Sequence, residues 1–261
     1  DEEIEFVVQA RVAVVVAIIL RPVEGRIDLP QAVKTIVAIV DSGLSLPGGG
    51  LHADLNPIRV VPAANSQPPF FYVDNVDRHG HGNLLAGTIA AWTDNNVGIA
   101  SAVHPGWDIR IMAVKFFEPP LNPTAFDAAV AMAWVGLHVL LGNPVKVINA
   151  SWHVPVGDPN LFTLGWVTTF VTALGCVVVF SAGNDGTDNQ IYPLFPANFT
   201  TNVLLQGRVM AVLATDHHDN KASFSNYSPV SVNIGAPGIH VLTTGRYLVP
   251  PPRYSRYNGT S

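Results

Sequence analysis

Ile36-Val-Ala-Ile-Val-Asp-Ser-Gly43 is an unbroken apolar run that ends in a carboxylate, a hydroxyl and a glycine. A continuous run of β-branched and small apolar residues is typical of a strand that is buried on both faces of a sheet. A carboxylate at the end of such a strand is costly to bury unless the protein uses it. We therefore predict a buried strand that ends at Asp41, which is either a functional carboxylate or a turn aspartate that accepts backbone hydrogen bonds.

Similar runs recur along the chain and alternate with helix-like stretches. The predicted strands are residues 35–40, 109–114, 145–149, 176–180, 209–213 and 240–243, and residues 12–20 form a further buried strand. The predicted helices are residues 82–92, 124–140 and 161–174. Strands that alternate with helices favour an α/β fold with a mainly parallel sheet and helices on both faces. Functional residues of such folds lie beyond the carboxyl ends of the strands.

Composition narrows the class of protein. The 261 residues are 48% hydrophobic and 13% charged, which is enough apolar material for a substantial core. The formal net charge of −5 gives no electrostatic reason to expect a nucleic-acid partner. No apolar stretch approaches the roughly 20 residues that a membrane span needs, so no membrane span is predicted. We interpret residues 31–261 as one domain and residues 1–30 as an N-terminal extension of uncertain role.

His81 lies between two glycines, directly before the predicted helix 82–92. The positive end of a helix lowers the pKa of a histidine, and a nearby carboxylate raises it. The two effects together would hold the imidazole near neutrality, as a general base requires. A loop histidine and a metal pair formed with His79 are the alternatives, although the segment offers no third ligand at a telling spacing.

Two further polar residues lie in glycine-containing segments. Asn184 follows the predicted strand 176–180, where its amide would donate to a developing oxyanion or serve an ordinary turn. Ser261 ends the sequence after Gly259 and Thr260 and is unremarkable alone. The function of each residue can therefore be inferred only from Asp41, His81, Asn184 and Ser261 taken together.

The set resembles the motifs of the subtilase family, the subtilisin-like serine proteases. The resemblance extends from about residue 30 to residue 261, and it implies a subtilisin-like α/β fold and a serine endopeptidase. Asp41 then orients the imidazole of His81, which is the general base in place of His79. Ser261 is the nucleophile, and its N–H and the Asn184 amide bind the oxyanion. The segments that carry the resemblance are Ala38-Ile-Val-Asp-Ser-Gly43, Gly80-His-Gly-Asn-Leu-Leu-Ala-Gly-Thr88, Ser181-Ala-Gly-Asn-Asp-Gly186 and Asn258-Gly-Thr-Ser261.

The resemblance also implies substrate-binding residues. Ser151 and Trp152 follow the strand that leads to the family's specificity pocket, and Gly183 lies in the oxyanion segment. The family usually continues Leu-Gly-Gly where this chain reads Trp152-His-Val154, so Trp152 is either a pocket wall or a packing residue. The implied partners are protein or peptide substrates. The implied location is secreted or otherwise extracytoplasmic.

The implied chemistry requires no cofactor, but the resemblance implies a structural calcium ion. Leu51-His-Ala-Asp-Leu55 resembles the family segment His-Pro-Asp-Leu, whose aspartate is a calcium ligand in several members, and this makes Asp54 a ligand. Trp92-Thr-Asp-Asn-Asn-Val-Gly98 resembles the partner loop, where Asn95 would offer its side-chain oxygen. We therefore expect stability that depends on calcium.

In the subtilase family the nucleophile opens a long core helix, which would lie beyond Ser261. We therefore expect a missing C-terminal segment, and we expect the 261-residue chain alone to be inactive and poorly stable. A non-catalytic subtilase homologue that acts as a binding module is the alternative to an endopeptidase. An esterase with the same triad is a third hypothesis, and the lack of Gly-x-Ser-x-Gly argues against it.

Overall fold

The computed structural model describes residues 34–45, 50–65, 75–96, 98–103, 108–118, 123–245 and 254–261. The predicted extension 1–30 and the predicted strand 12–20 lie outside these residues. The strands of the described residues are β1 (Thr35–Asp41), β2 (Val60–Asn65), β3 (Ile109–Lys115), β4 (Val145–Ala150), β5 (Val177–Ser181), β6 (Val209–Thr215), β7 (Ile234–Pro237), β8 (Val241–Thr244) and β9 (Tyr254–Tyr257). The α-helices are α1 (His81–Ala90), α2 (Ala125–Leu140) and α3 (Leu161–Ala173).

The first seven strands form one parallel sheet in the order β2-β3-β1-β4-β5-β6-β7. β1 lies inside the sheet between β3 and β4, and every residue of this strand is buried. Neither face of this strand is exposed to solvent, because strands lie on both sides of it and helices cover both faces of the sheet. This burial explains the continuous apolar run in its sequence. The α/β fold class with a parallel sheet is confirmed.

Helices cover both faces of the sheet. α1 packs on one face with Val37 and Ile39 of β1, and α2 and α3 pack on the other face with Ala38 and Val40. Successive residues of a strand point to opposite faces, so β1 contributes apolar side chains to both layers. α2 begins after Thr124, which forms a capping box with Asp127.

The predicted strand 240–243 does not join the parallel sheet. It corresponds to β8, which pairs antiparallel with β9. The hairpin packs against α1, where Thr243 Oγ1 donates to the Leu84 carbonyl oxygen at 2.7 Å and Thr244 Oγ1 donates to that of Asn83 at 2.6 Å. A second, two-stranded sheet thus holds the helix that carries His81.

Two further features bear on function. No helix within the described ranges is long and apolar enough to cross a membrane.

The one cysteine, Cys176, is buried, and burial raises the pKa of its thiol to about 11. A thiol with such a pKa is not an activated nucleophile, so Cys176 is a packing residue.

Candidate active site

Asp41 and His81 meet at the carboxyl end of β1. Both carboxylate oxygens of Asp41 lie within hydrogen-bond distance of His81 Nδ1, at 2.9 and 3.0 Å. The Asp41 side chain is buried, whereas the His81 side chain keeps 24% of its surface exposed. The contact leaves Nε2 as the ring nitrogen that can exchange a proton with another group.

Two glycines bring the first turn of α1 against the end of β1. Gly80 precedes the helix with φ 92°, a left-handed conformation that favours glycine. A Cβ atom on Gly82 would lie 2.0 Å from the carbonyl oxygen of Gly43, so any side chain at this position would separate the two segments. The glycines that flank His81 in the sequence therefore set its approach to Asp41.

The carboxylates near His81 set its protonation. Burial lowers the pKa of His81, but the charge and hydrogen bond of Asp41, with the charge of Asp77, raise it by more. The pKa of His81 therefore lies above its ordinary value of 6.5. The imidazole is a stronger base than a free histidine, which suits proton abstraction from a hydroxyl.

His79 does not face Asp41. Its ring lies edge-on to Phe117, with 5.5 Å between ring centroids, and its centroid is 6.1 Å from that of His81. Among the described residues, no three His, Cys, Asp or Glu side chains are grouped so that they could hold a metal ion. The geometry therefore gives no support to a metal pair of His79 and His81.

Ser261 and Asn184 border one point beside Gly259. A Cβ atom on Gly259 would lie 3.9 Å from Asn184 Nδ2 and 4.0 Å from Ser261 Oγ. Asn184 Oδ1 accepts hydrogen bonds from the N–H and the hydroxyl of Thr260, at 3.0 and 3.1 Å. Because Thr260 uses the amide oxygen, Asn184 offers its Nδ2 group as a donor.

Ser261 is placed near Asn184 and Ser151. Its hydroxyl donates to the carbonyl oxygen of Ser151 at 3.5 Å, which is long for such a bond. Within the described residues, Ser261 makes no hydrogen bond to His81. The structure thus pairs Asp41 with His81 and brings Ser261 beside Asn184, but no hydrogen bond joins the two pairs.

The implied substrate-binding residues have different surroundings. Ser151 lines a cavity beside Ser261, and Gly183 donates its N–H to Thr260 Oγ1 at 3.2 Å. Trp152 is only 7% exposed, and its indole Nε1 donates to the Val40 carbonyl oxygen at 2.8 Å. The Trp152 side chain belongs to the core, which favours packing over a pocket wall.

The cavity beside Ser261 opens onto the face of the sheet that carries α1. Its lining is mainly apolar, and side chains from five strands and from α1 contribute to it: Val37, Ile89, Val147, Val179, Val212 and Ala236. Such a lining favours apolar occupants over charged ones.

The contacts of Asp54 do not fit a calcium site. Its Oδ2 accepts from the Ile99 N–H at 2.8 Å, and its Oδ1 accepts from Asn95 Nδ2 at 3.1 Å. Tyr254 also hydrogen-bonds to Asp54, and burial together with this carboxylate raises the pKa of Tyr254 to about 12. Both carboxylate oxygens are occupied by donors, and Asn95 presents its amino group where a calcium ligand would present oxygen.

We therefore expect the unfolding temperature to agree within about 1 °C between excess chelator and excess calcium. Tyr254→Phe should lower that temperature by about 3–10 °C in both conditions, since a hydrogen bond to a charged group contributes about 1.5–3 kcal/mol. Tyr257→Phe, on the same strand, serves as the control in calorimetry. A calcium-dependent rise of several degrees in the wild type would contradict this expectation.

One buried carboxylate near the site was not singled out from the sequence. Asp77 is 4% exposed and accepts hydrogen bonds from Ser42, Gly80 and Asn83, which surround His81. The available signal is that Gly80, which precedes α1, has no side chain to cap the helix. A carboxylate a few residues upstream is then the expected substitute.

The chain is similar to one family of known proteins. A model of the subtilase family matches residues 33–261. Subtilisin Savinase of Lederbergia lenta is 32% identical over 225 residues, which cover 86% of this chain and 70% of that protein. Subtilisin-like protease 2 of Plasmodium falciparum is 31% identical over 233 residues, and an alkaline protease of Alkalihalobacillus alcalophilus is 32% identical over 225. The chain spans 16% and 50% of the lengths of these two relatives.

Two solved structures share the fold. A protease of Pseudoalteromonas arctica superposes with a TM-score of 0.69 at 23% identity, covering 90% of this chain and 77% of its own. The epidermin leader peptide processing serine protease of Staphylococcus aureus superposes with a TM-score of 0.68 at 21% identity, covering 89% and 63%. With the family match over residues 33–261, the chain belongs to the subtilase family of serine proteases.

Proposed function

We propose that the chain is the catalytic region of a serine endopeptidase that hydrolyses peptide bonds through Asp41, His81 and Ser261. The observation that carries this proposal is the contact of both Asp41 carboxylate oxygens with His81 Nδ1. This contact orients the imidazole so that the lone pair on Nε2 is available to accept a proton. Membership of a serine protease family supports the same reaction class.

In the proposed reaction, Ser261 Oγ attacks the scissile carbonyl carbon while His81 Nε2 takes the hydroxyl proton. Collapse of the tetrahedral intermediate breaks the C–N bond, and His81 gives the proton to the leaving amine. Water, deprotonated by His81, then hydrolyses the ester on Ser261 and restores the hydroxyl. Rotation of the Ser261 side chain away from the Ser151 carbonyl oxygen would begin this sequence.

We propose that Asn184 Nδ2 and the Ser261 N–H stabilise the negative oxygen of the tetrahedral intermediate. The position of Asn184 supports this role because Thr260 holds its Oδ1 and leaves Nδ2 to donate. A donor that is fixed before the reaction stabilises developing charge without having to reorganise.

The substrate is proposed to lie along Ser151, the backbone of Trp152 and Gly183. Ser151 follows β4 and Gly183 lies two residues beyond β5, and these strands are neighbours in the sheet. Polar backbone groups beside the strand ends suit an extended peptide, which makes a protein or peptide the proposed substrate class. We propose an extracytoplasmic location from the family resemblance. The reaction proposed above uses only side chains and backbone groups of the protein together with water.

The pH profile of kcat/KM is expected to show an acid limb with its midpoint above 6.5. His81 must be neutral to accept the Ser261 proton. Although burial lowers its pKa, Asp41 and Asp77 raise it by more, so activity should fall as the pH drops through this raised value. Initial rates on a peptide from about pH 5 to about pH 9 measure the midpoint. A midpoint at or below 6.5 would argue against His81 as the base.

The proposal is tested on the protein with all of the sequence that its gene encodes. It is assayed on an unfolded protein substrate and on a simple ester. Proteolysis that a serine-hydrolase inhibitor blocks and that Ser261→Ala abolishes would support an endopeptidase. Ester turnover without proteolysis would favour the esterase hypothesis. Peptide binding without turnover would favour a binding module.

A further inference from the structure

Asp77 is the centre of a buried hydrogen-bond network between β1 and α1. Its Oδ1 accepts from Ser42 Oγ at 2.8 Å and from the Gly80 N–H at 2.6 Å. Its Oδ2 accepts from the Asn83 N–H at 2.8 Å and from Asn83 Nδ2 at 3.1 Å. Four donors compensate the cost of burying this charge. Three of them, all but Ser42, come from the residues on either side of His81.

Ser42 connects this network to Asp41. The Ser42 hydroxyl oxygen lies nearer to Asp77 Oδ1, at 2.8 Å, than to Asp41 Oδ1, at 3.2 Å, so we assign its single proton to the bond with Asp77. The same hydroxyl oxygen accepts from the Gly82 N–H at 3.0 Å, and the Ser42 N–H donates to Asp41 Oδ1 at 2.8 Å. Asp77 thus fixes both the strand end that carries Asp41 and the helix start that carries His81.

A comparison within the chain separates this arrangement from ordinary helix capping. Asp127 also accepts hydrogen bonds at a helix start, where it forms the capping box of α2 with Thr124. That box lies at the surface and connects only to its own helix start. Asp77 is buried, and through Ser42 it reaches a residue on another element. Capping alone does not require that second connection.

We propose that Asp77 is a positioning residue of the catalytic site, which holds Asp41 and His81 in the relative geometry that proton transfer needs. The expected effect of Asp77 on kinetics rests on the proposed function. The expected effect of Asp77 on the geometry and titration of His81 does not depend on it. Among the residues that the structure describes, the charged and titratable groups that face the His81 ring are Asp41, Asp77 and His79. Removing the charge of Asp77 should therefore change the titration of His81 as well as its orientation.

The test is an NMR titration of the imidazole Cε1–H signals in the whole protein, with His81 assigned from the signal that His81→Gln removes. In Asp77→Asn, the pKa of His81 should fall, because a nearby negative charge is lost. Asp127→Asn is the matched control, since it neutralises a helix-capping carboxylate at the start of α2, and should leave the His81 titration unchanged. An unchanged His81 titration in Asp77→Asn would overturn the proposal.

Kinetics supply the second readout. Asp77→Asn should lower kcat by about tenfold with little change in KM, and the acid limb of kcat/KM should move to lower pH. Ser42→Ala keeps the charge of Asp77 and breaks its link to Asp41, so it should lower kcat without moving the acid limb. If Asp77→Asn does not fold, the test is the kcat of Ser42→Ala. A kcat of Ser42→Ala equal to that of the wild type would overturn the proposal. Failure of the proposed function would instead appear as a wild type that cleaves nothing yet shows the expected titration.

Discussion

In the protein with all of the sequence that its gene encodes, replacing His81 with alanine is expected to lower kcat by about 10⁶-fold, the size established for the same loss in subtilisin. Without the imidazole, the Ser261 hydroxyl keeps its proton and remains a weak nucleophile. The pairing with Asp41 is also lost, and the buried carboxylate is left facing a void. Steady-state kinetics on a peptide substrate measure kcat and KM for the variant and the wild type.

His79→Ala is the matched control, because it removes a histidine two residues away in the same glycine-rich segment. This variant loses an edge-on contact with Phe117 and should keep kcat within about threefold. Equal losses in the two variants would show that the segment matters for folding rather than for proton transfer. A His81→Ala variant that retains about a tenth of the wild-type rate would exclude His81 as the general base.

In the same full-length protein, Asn184→Ala is expected to lower kcat by about 10²–10³ with little change in KM, the size measured for the oxyanion asparagine of subtilisin. The amide donates to an oxygen that becomes fully negative only in the transition state, so its loss should leave binding of the ground state largely unchanged. The same steady-state assay separates the two parameters. A raised KM with an unchanged kcat would place Asn184 in ground-state binding instead.

Asp185→Ala controls for disturbance of the same turn, since Asp185 is exposed and its backbone contact to Asn226 survives the change. Its kcat should stay within about twofold of the wild type. Asn184 also anchors the N–H and hydroxyl of Thr260, so the unfolding temperature of Asn184→Ala must be recorded alongside its kinetics. A large fall in kcat without unfolding at the assay temperature would isolate the electrostatic effect.

The central strands could be predicted from the sequence because a strand that is buried on both faces consists mainly of consecutive apolar residues. β1 is apolar up to Asp41 and β3 and β4 are mainly apolar, and the predicted bounds of all three differ from the observed ones by at most one residue at either end. β7 could not be predicted in this way, because its sequence, Ile-Gly-Ala-Pro, is short and contains glycine and proline. The 240–243 segment reads as another buried strand, but its partner β9 follows along the chain and pairs antiparallel.

The contacts that side chains of the site make with distant residues could not be predicted. Asp77 lies in a segment without periodicity, and its role depends on Ser42, which is 35 residues away. Trp152 is a core residue that packs against Phe116, and its indole donates to the Val40 carbonyl oxygen. The sequence suggests oxygen ligands around Asp54, but the N–H of Ile99 and the hydroxyl of Tyr254 satisfy that carboxylate. Each outcome depends on tertiary packing rather than on local pattern.

The most direct test of the account is the site at which a fluorophosphonate inhibitor reacts. This reagent forms a covalent adduct with a serine that an adjacent base has activated. Peptide mass spectrometry of the labelled protein, with all of the sequence that its gene encodes, should place one adduct on Ser261. His81→Ala should abolish it, and His79→Ala should leave it in place. An unlabelled Ser261 in the folded wild type, or an adduct on a different serine, would contradict the assignment of Asp41, His81 and Ser261 as the catalytic residues.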